Sequence, residues 1–128
     1  MTDTLDTTVR HTGDRTAVVQ VAGDLDLHTS PVLRAQAWTV VEQGTPHLVL
    51  DLAQVDYVDS TGLSTLIVLL QAAQEAGGSL RVASVPDRLM RMVTLTGIST
   101  LLPIHDTVAD ALAALAADGD ADSAGTSA

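Results

Sequence analysis

Two rhythms of apolar residues alternate along the chain. Leu5–His11 and Arg15–Ala22 place branched residues at extended-chain spacing, and Thr12-Gly13-Asp14 between them has the residue types of a tight turn, so a hairpin is predicted at the start. Gly23-Asp24-Leu25-Asp26 is expected to break the second strand. Thr29 or Ser30 can then cap a helix that has Pro31 at its first position. In that helix Leu33, Ala37, Val40 and Val41 form one apolar stripe with Trp38 beside it, and the run ends near Gln43, before Gly44 and Pro46.

His47–Leu52 is short, continuous and rich in branched residues, the pattern of a strand covered on both faces and therefore central in its sheet. A loop over Ala53–Asp59 leads to a second helix, Ser60–Ala76, whose stripe is Leu63, Leu66, Ile67, Leu70 and Ala73 and which Gly77-Gly78 ends. Val68 and Leu69 lie off that stripe, so this helix is apolar nearly all round, and part of its surface is expected to face a partner. Ser79–Val85 reads as a strand, Pro86–Thr96 as a third helix closed by Gly97, and Thr100–Ile104 as a short strand. Asp106 is expected to cap a last, alanine-rich helix reaching about Ala117. Strands alternating with helices after an opening hairpin make this an α/β chain with right-handed parallel crossovers. The domain is expected to span residues 5–117, with a flexible N-terminus over 1–4 and a disordered acidic, small-residue tail over 118–128.

Composition narrows the function. A length of 128 residues suits one domain with a real core, and the absence of cysteine removes disulfides, thiol chemistry and thiolate metal sites. Six Arg, no Lys and sixteen acidic residues give a net charge of −10, which repels nucleic-acid phosphates and anionic lipid headgroups and favours a protein partner. Only Trp38 and Tyr57 are aromatic, so base-stacking platforms are missing. The stretch from Met1 to Asp6 carries acidic and hydroxyl residues rather than a basic run followed by an apolar one, and the longest apolar run, Leu63–Leu70, is interrupted by Ser64 and Thr65. Neither suits a secretory signal or a membrane span, so a soluble, cytoplasmic protein is expected.

The residues that stand out chemically are Asp59-Ser60-Thr61-Gly62-Leu63, at the start of the second helix. A helix start leaves backbone N–H groups unpaired, and capping by Asp59 or Ser60 is the plainest role for such a turn. Three features favour a further role for Ser60. It follows a buried strand and so emerges at the strand's C-terminal edge, where ligands and partners gather in open α/β sheets. Gly62 lacks a side chain, leaving a gap through which another backbone, such as that of a docking kinase, can approach. The helix behind is apolar on most sides. A serine hydrolase is the enzymatic alternative, but a nucleophile elbow needs glycine two residues before the serine, and Val58 stands there. His11, His28, His47 and His105 have no metal-ligand spacing.

Asp51-Leu52-Ala53-Gln54-Val55-Asp56-Tyr57-Val58-Asp59-Ser60-Thr61-Gly62-Leu63 closely resembles the motif of STAS domains, the sulfate transporter and anti-sigma factor antagonist family. Gly23-Asp24-Leu25-Asp26-Leu27-His28-Thr29 is similar to that family's first-loop signature, and the order of elements agrees over about residues 5–117. The resemblance implies a mixed sheet of about five strands with about four helices mainly on one side. For a stand-alone chain it implies an anti-sigma factor antagonist with no enzymatic activity and no cofactor of its own. Such a protein binds an anti-sigma factor serine/threonine kinase when unphosphorylated and so frees the sigma factor. The kinase, using Mg-ATP, ends the interaction by phosphorylating the serine after the motif aspartate, and a serine phosphatase restores it. Carried over residue by residue, the acceptor is Ser60. Asp26, Asp59, Thr61, Gly62 and Leu63 are its neighbours or partner contacts, and Thr61 is a possible second acceptor. The resemblance also admits a scaffold or a lipid-transport subunit using the same helix surface.

Overall fold

The computed structural model describes residues 5–13 and 15–116; the N-terminal residues 1–4 and the expected tail lie outside the described residues. In chain order the elements are β1 (Leu5–Gly13), β2 (Thr16–Leu25), α1 (Ser30–Glu42), β3 (His47–Val58), α2 (Ser60–Glu75), β4 (Ser79–Ala83), α3 (Asp87–Leu95), a 3-10 turn (Ile98–Thr100), β5 (Ile104–His105) and α4 (108–116). The strands lie in sequence order in one sheet. β1 and β2 form an antiparallel hairpin, and β2 to β5 run parallel. This is the mixed α/β sheet expected, with β3 at its centre.

Alternation along the strands divides the core. Ala17, Val19, Val21, Leu48, Leu50, Leu52, Leu80 and Val82 point to one face, where Leu33 and Ala37 of α1, Leu66 and Ala73 of α2, and Leu89 and Val93 of α3 cover them. Val18, Val49 and Ala83 point to the other face and meet Ala111, Val108 and Leu112 of α4. Three helices thus share one side and one short helix covers the other.

Several expected boundaries move. β1 runs to Gly13 rather than stopping at His11, and the hairpin turns at Arg15, which adopts a left-handed φ of 72°. Gly23 does not break β2; it stays in the ladder opposite Val55 with a φ of 110°, and the strand ends at Leu25. The stretch expected as a loop over 53–59 is strand almost throughout. Two register shifts against β2, between the pairs Gln20↔Asp51 and Ala22↔Gln54 and between Gly23↔Val55 and Asp24↔Tyr57, each place one extra residue on β3. Two such bulges change the spacing of core-facing residues from two to three, so that Leu52, Val55 and Val58 are all buried. The last short strand is Ile104–His105 instead of Thr100–Ile104, because a 3-10 turn and Pro103 precede it. α4 is capped by the Thr107 hydroxyl, which accepts the Asp110 N–H at 3.0 Å, and not by Asp106.

On α2 the buried stripe is Gly62, Leu63, Thr65, Leu66, Leu69, Leu70 and Ala73. Leu69 therefore lies within the core and Ile67 at its margin, the reverse of the expectation. The stripe is centred on Gly62, so positions three, four and seven residues on from it are the ones that face the sheet.

Candidate functional site

β2 and β3 are parallel neighbours that end together, Leu25 opposite Val58, so the loops that follow them meet at the C-terminal edge of the sheet. The first loop is built by Asp26. Its Oδ1 accepts the backbone N–H of His28 at 2.9 Å and of Thr29 at 3.1 Å, and its own carbonyl accepts the Ser30 N–H at 2.8 Å. The Thr29 hydroxyl accepts the Asp26 N–H at 2.9 Å and has one proton to donate. The Asp24 carbonyl at 2.6 Å is a closer acceptor for it than Asp26 Oδ1 at 3.2 Å. Thr29 is thus the residue before α1, yet its side chain serves the loop and gives the helix no cap hydrogen bond. Burial pushes the Asp26 carboxyl upward, but the Thr29 and His28 amides, with the Thr29 hydroxyl and the His28 charge, outweigh it and hold the group below its ordinary value.

The second loop is the single residue Asp59. Of the two expected caps, Asp59 is the one used: extended at φ −102° and ψ −175°, it accepts the Gly62 N–H on Oδ1 at 2.9 Å. Its Oδ2 accepts the Leu27 N–H at 3.2 Å, and its own N–H donates to the Leu25 carbonyl at 3.2 Å. One carboxylate therefore joins the helix start to the neighbouring loop. Ser60, freed from capping, is the first residue of α2 and is exposed.

Gly62 and Leu63, expected beside a partner, are buried within the chain. A β-carbon on Gly62 would collide with the Leu25 carbonyl oxygen and lie 2.9 Å from Val58 Cγ1, so the gap expected to admit a kinase is filled by this chain's own β2. Leu63 is buried in the main core, and Thr61 is half-buried with its carbonyl accepting the Thr65 hydroxyl at 2.9 Å. Two apolar side chains that sequence reasoning did not single out, Leu27 and Tyr57, are more than half exposed beside the turn. The available signal was an apolar residue inside a polar segment. Exposed Asp56 and half-buried Asp24, Asp26 and Asp59 complete an acidic rim.

The arrangement offers a hydroxyl at a helix start, with no histidine hydrogen-bonded to it among the described residues. His47 contacts Ser79 Oγ through Nδ1 at 3.1 Å, at the opposite end of β3 and β4, and His105 Nε2 lies 3.1 Å from Arg81. Among the described residues no cluster of three or more His, Asp and Glu has the geometry of a metal site, and no helix is long and apolar enough to cross a membrane.

The profile of the STAS domain family matches residues 7–111. The anti-sigma-B factor antagonist of Bacillus subtilis is 35% identical over 86 residues, 67% of this chain and 78% of that protein. The anti-sigma-B factor antagonist of Staphylococcus aureus is 32% identical over 95 residues, 74% of this chain and 88% of its own length. Among solved structures, an anti-sigma factor antagonist from Mycobacterium paratuberculosis superposes with a TM-score of 0.78 at 32% identity, covering 88% of this chain and 95% of that one.

Proposed function

This chain belongs to the STAS domain family, and from that premise we propose that it is an anti-sigma factor antagonist switched by phosphorylation of Ser60. Unphosphorylated, it binds an anti-sigma factor serine kinase in the cytoplasm and releases the sigma factor; phosphate on Ser60 ends that binding, and a phosphatase restores it. The chain does no chemistry itself. The observation that carries the reading is the double use of Asp59, which caps α2 and holds the 26–29 loop, so that the adjacent hydroxyl stands exposed and unused at the sheet edge.

Phosphate adds about −1.5 to −2 charges at neutral pH. On this chain they would fall beside Asp59 and near Asp26 and Asp56, so repulsion and desolvation both oppose a docked partner. A helix N-terminus favours an exposed phosphate by about 0.3–1 kcal/mol, so the fold tolerates the modification and the switch acts at the interface. Leu27 and Tyr57 supply the apolar contacts that let the neutral state bind. The test is phosphate incorporation from Mg-ATP by a purified anti-sigma factor serine kinase that binds this chain, mapped by mass spectrometry. Incorporation at Ser60 that Ser60→Ala abolishes supports the reading, and incorporation elsewhere or none at all sinks it.

A further inference from the structure

Away from the Ser60 turn, α1 and α2 enclose a shallow groove of about 530 Å³ on the outer surface, lined by Pro31, Arg34, Ala35, Trp38, Val68, Leu69 and Ala72. Trp38 is 52% exposed and Val68 45% exposed. An exposed indole costs about as much apolar surface as any side chain can leave in water, and Trp38 is the only tryptophan in the chain. The charge on this face has a pattern. Arg34 is the one charged residue of the groove lining, in a chain with sixteen acidic residues and six arginines. The chain's two glutamates, Glu42 and Glu75, are both exposed and stand at the last residues of α1 and α2. Because β2, β3 and β4 are parallel and each helix returns from one to the next, α1 and α2 run side by side in the same direction. Both glutamates therefore lie at one end of the face and Arg34 towards the other.

Trp38 sits midway. Arg34 is four residues before it and Glu42 four residues after, so each is displaced by about 6 Å along the helix, in opposite directions. Such a face is complementary to itself when turned by 180° about an axis through Trp38. We infer that two copies of this chain associate through the α1–α2 face about a two-fold axis at Trp38, with Arg34 of each copy against Glu42 of the other. The interface is isologous, and Glu75 adds a second acid at the end that receives the arginine. Helices of 13 and 16 residues are about 20 and 24 Å long, so the face covers roughly 450 Å² per copy, below the range of stable interfaces and within that of weak, transient ones. The pair is accordingly a reversible, concentration-dependent dimer. It is independent of Ser60 phosphorylation as a reading, since it uses none of the turn's residues.

The test is the mass of the full chain by sedimentation velocity across a concentration series, with Trp38 fluorescence recorded in parallel. A dimer that forms as concentration rises, with Trp38 emission moving to shorter wavelength, is expected. Arg34→Glu and Glu42→Arg should each shift the midpoint at least tenfold towards monomer, and the double variant should restore it, because each reversed charge then meets its complement on the second copy. Arg34 and Glu42 are two turns apart within one helix, too far to pair within a copy, so rescue reports only on the intermolecular contact. Circular dichroism of the exposed-site variants confirms that they fold. A chain that stays monomeric at all concentrations, a dimer indifferent to both reversals, or folded single variants that the double variant fails to rescue would each overturn the inference. Kinase recognition is measured separately, so its failure does not touch this result.

Discussion

The Leu25 carbonyl oxygen occupies the space that a β-carbon on Gly62 would need. That contact presses the first turn of α2 onto the end of β2 and fixes the height at which Ser60 emerges. Gly62→Ala must push the helix start outward, at a cost of about 1–3 kcal/mol of stability by overpacking. Urea unfolding should show this loss, and because the turn is displaced, phosphate incorporation at Ser60 should fall with it. An alanine variant as stable as the parent would mean that the approach of α2 to Leu25 is looser than described.

Asp59→Asn separates two jobs. The asparagine Oδ1 still accepts the Gly62 N–H, but its amide group cannot accept from the Leu27 N–H. The expected outcome is a small loss of stability with faster hydrogen exchange at Leu27. Asp59→Ala removes the cap as well and should cost about 1 kcal/mol more. Equal exchange at Leu27 in parent and Asn variant would remove the loop tie from the account.

Ser60→Ala should bind the anti-sigma factor kinase persistently, and Ser60→Asp poorly. A hundredfold difference in Kd corresponds to about 2.7 kcal/mol, a size that one charge facing acidic neighbours at a desolvated interface can supply. Titration calorimetry against the purified kinase measures it. Equal affinities would leave the charge argument without support.

Asp26 predicts a pH dependence with a definite sign. Its folded pKa lies below the unfolded value of about 3.9, so the stability it contributes is present above that pH and disappears as the pH falls through the folded pKa. Asp26→Asn keeps an oxygen for the His28 and Thr29 amides but loses the charge, so at neutral pH it should cost the stability that the ionised carboxylate contributes and flatten the acid limb of the stability profile by the same amount. Urea midpoints between pH 3 and 7 decide this, and an unchanged acid limb would assign the stabilisation to other carboxylates.

Much of this was legible from residue patterns. The hairpin, the helices and the central strand follow from periods of two and 3.6, and Ser60 at the C-terminal edge of β3 follows from a helix beginning where a buried strand ends. Residues 53–58 were misread because bulges are set by pairing with β2, and pairing leaves no mark in a single strand's sequence; an apolar residue at every third position fits neither rhythm. The role of Gly62 was misread for a similar reason, since a glycine that admits an outside backbone and one that admits Leu25 look alike until the partner strand is placed. Asp59 and Ser60 were both credible caps, and only the backbone conformation at 59 selects between them.

The two bulges of β3 also determine which changes of length the chain can absorb. Removing one residue at either register shift cancels that bulge and brings core-facing residues there back to a spacing of two, so Val58 and the Asp59–Ser60 turn keep their present face. Removing one from the regular stretch 47–51 instead turns one side of the cut over towards the face occupied by α4. Removing one residue from each bulge restores the ordinary alternation and leaves the turn on its present side. Single deletions are therefore tolerated at the bulges and not in the regular part of the strand.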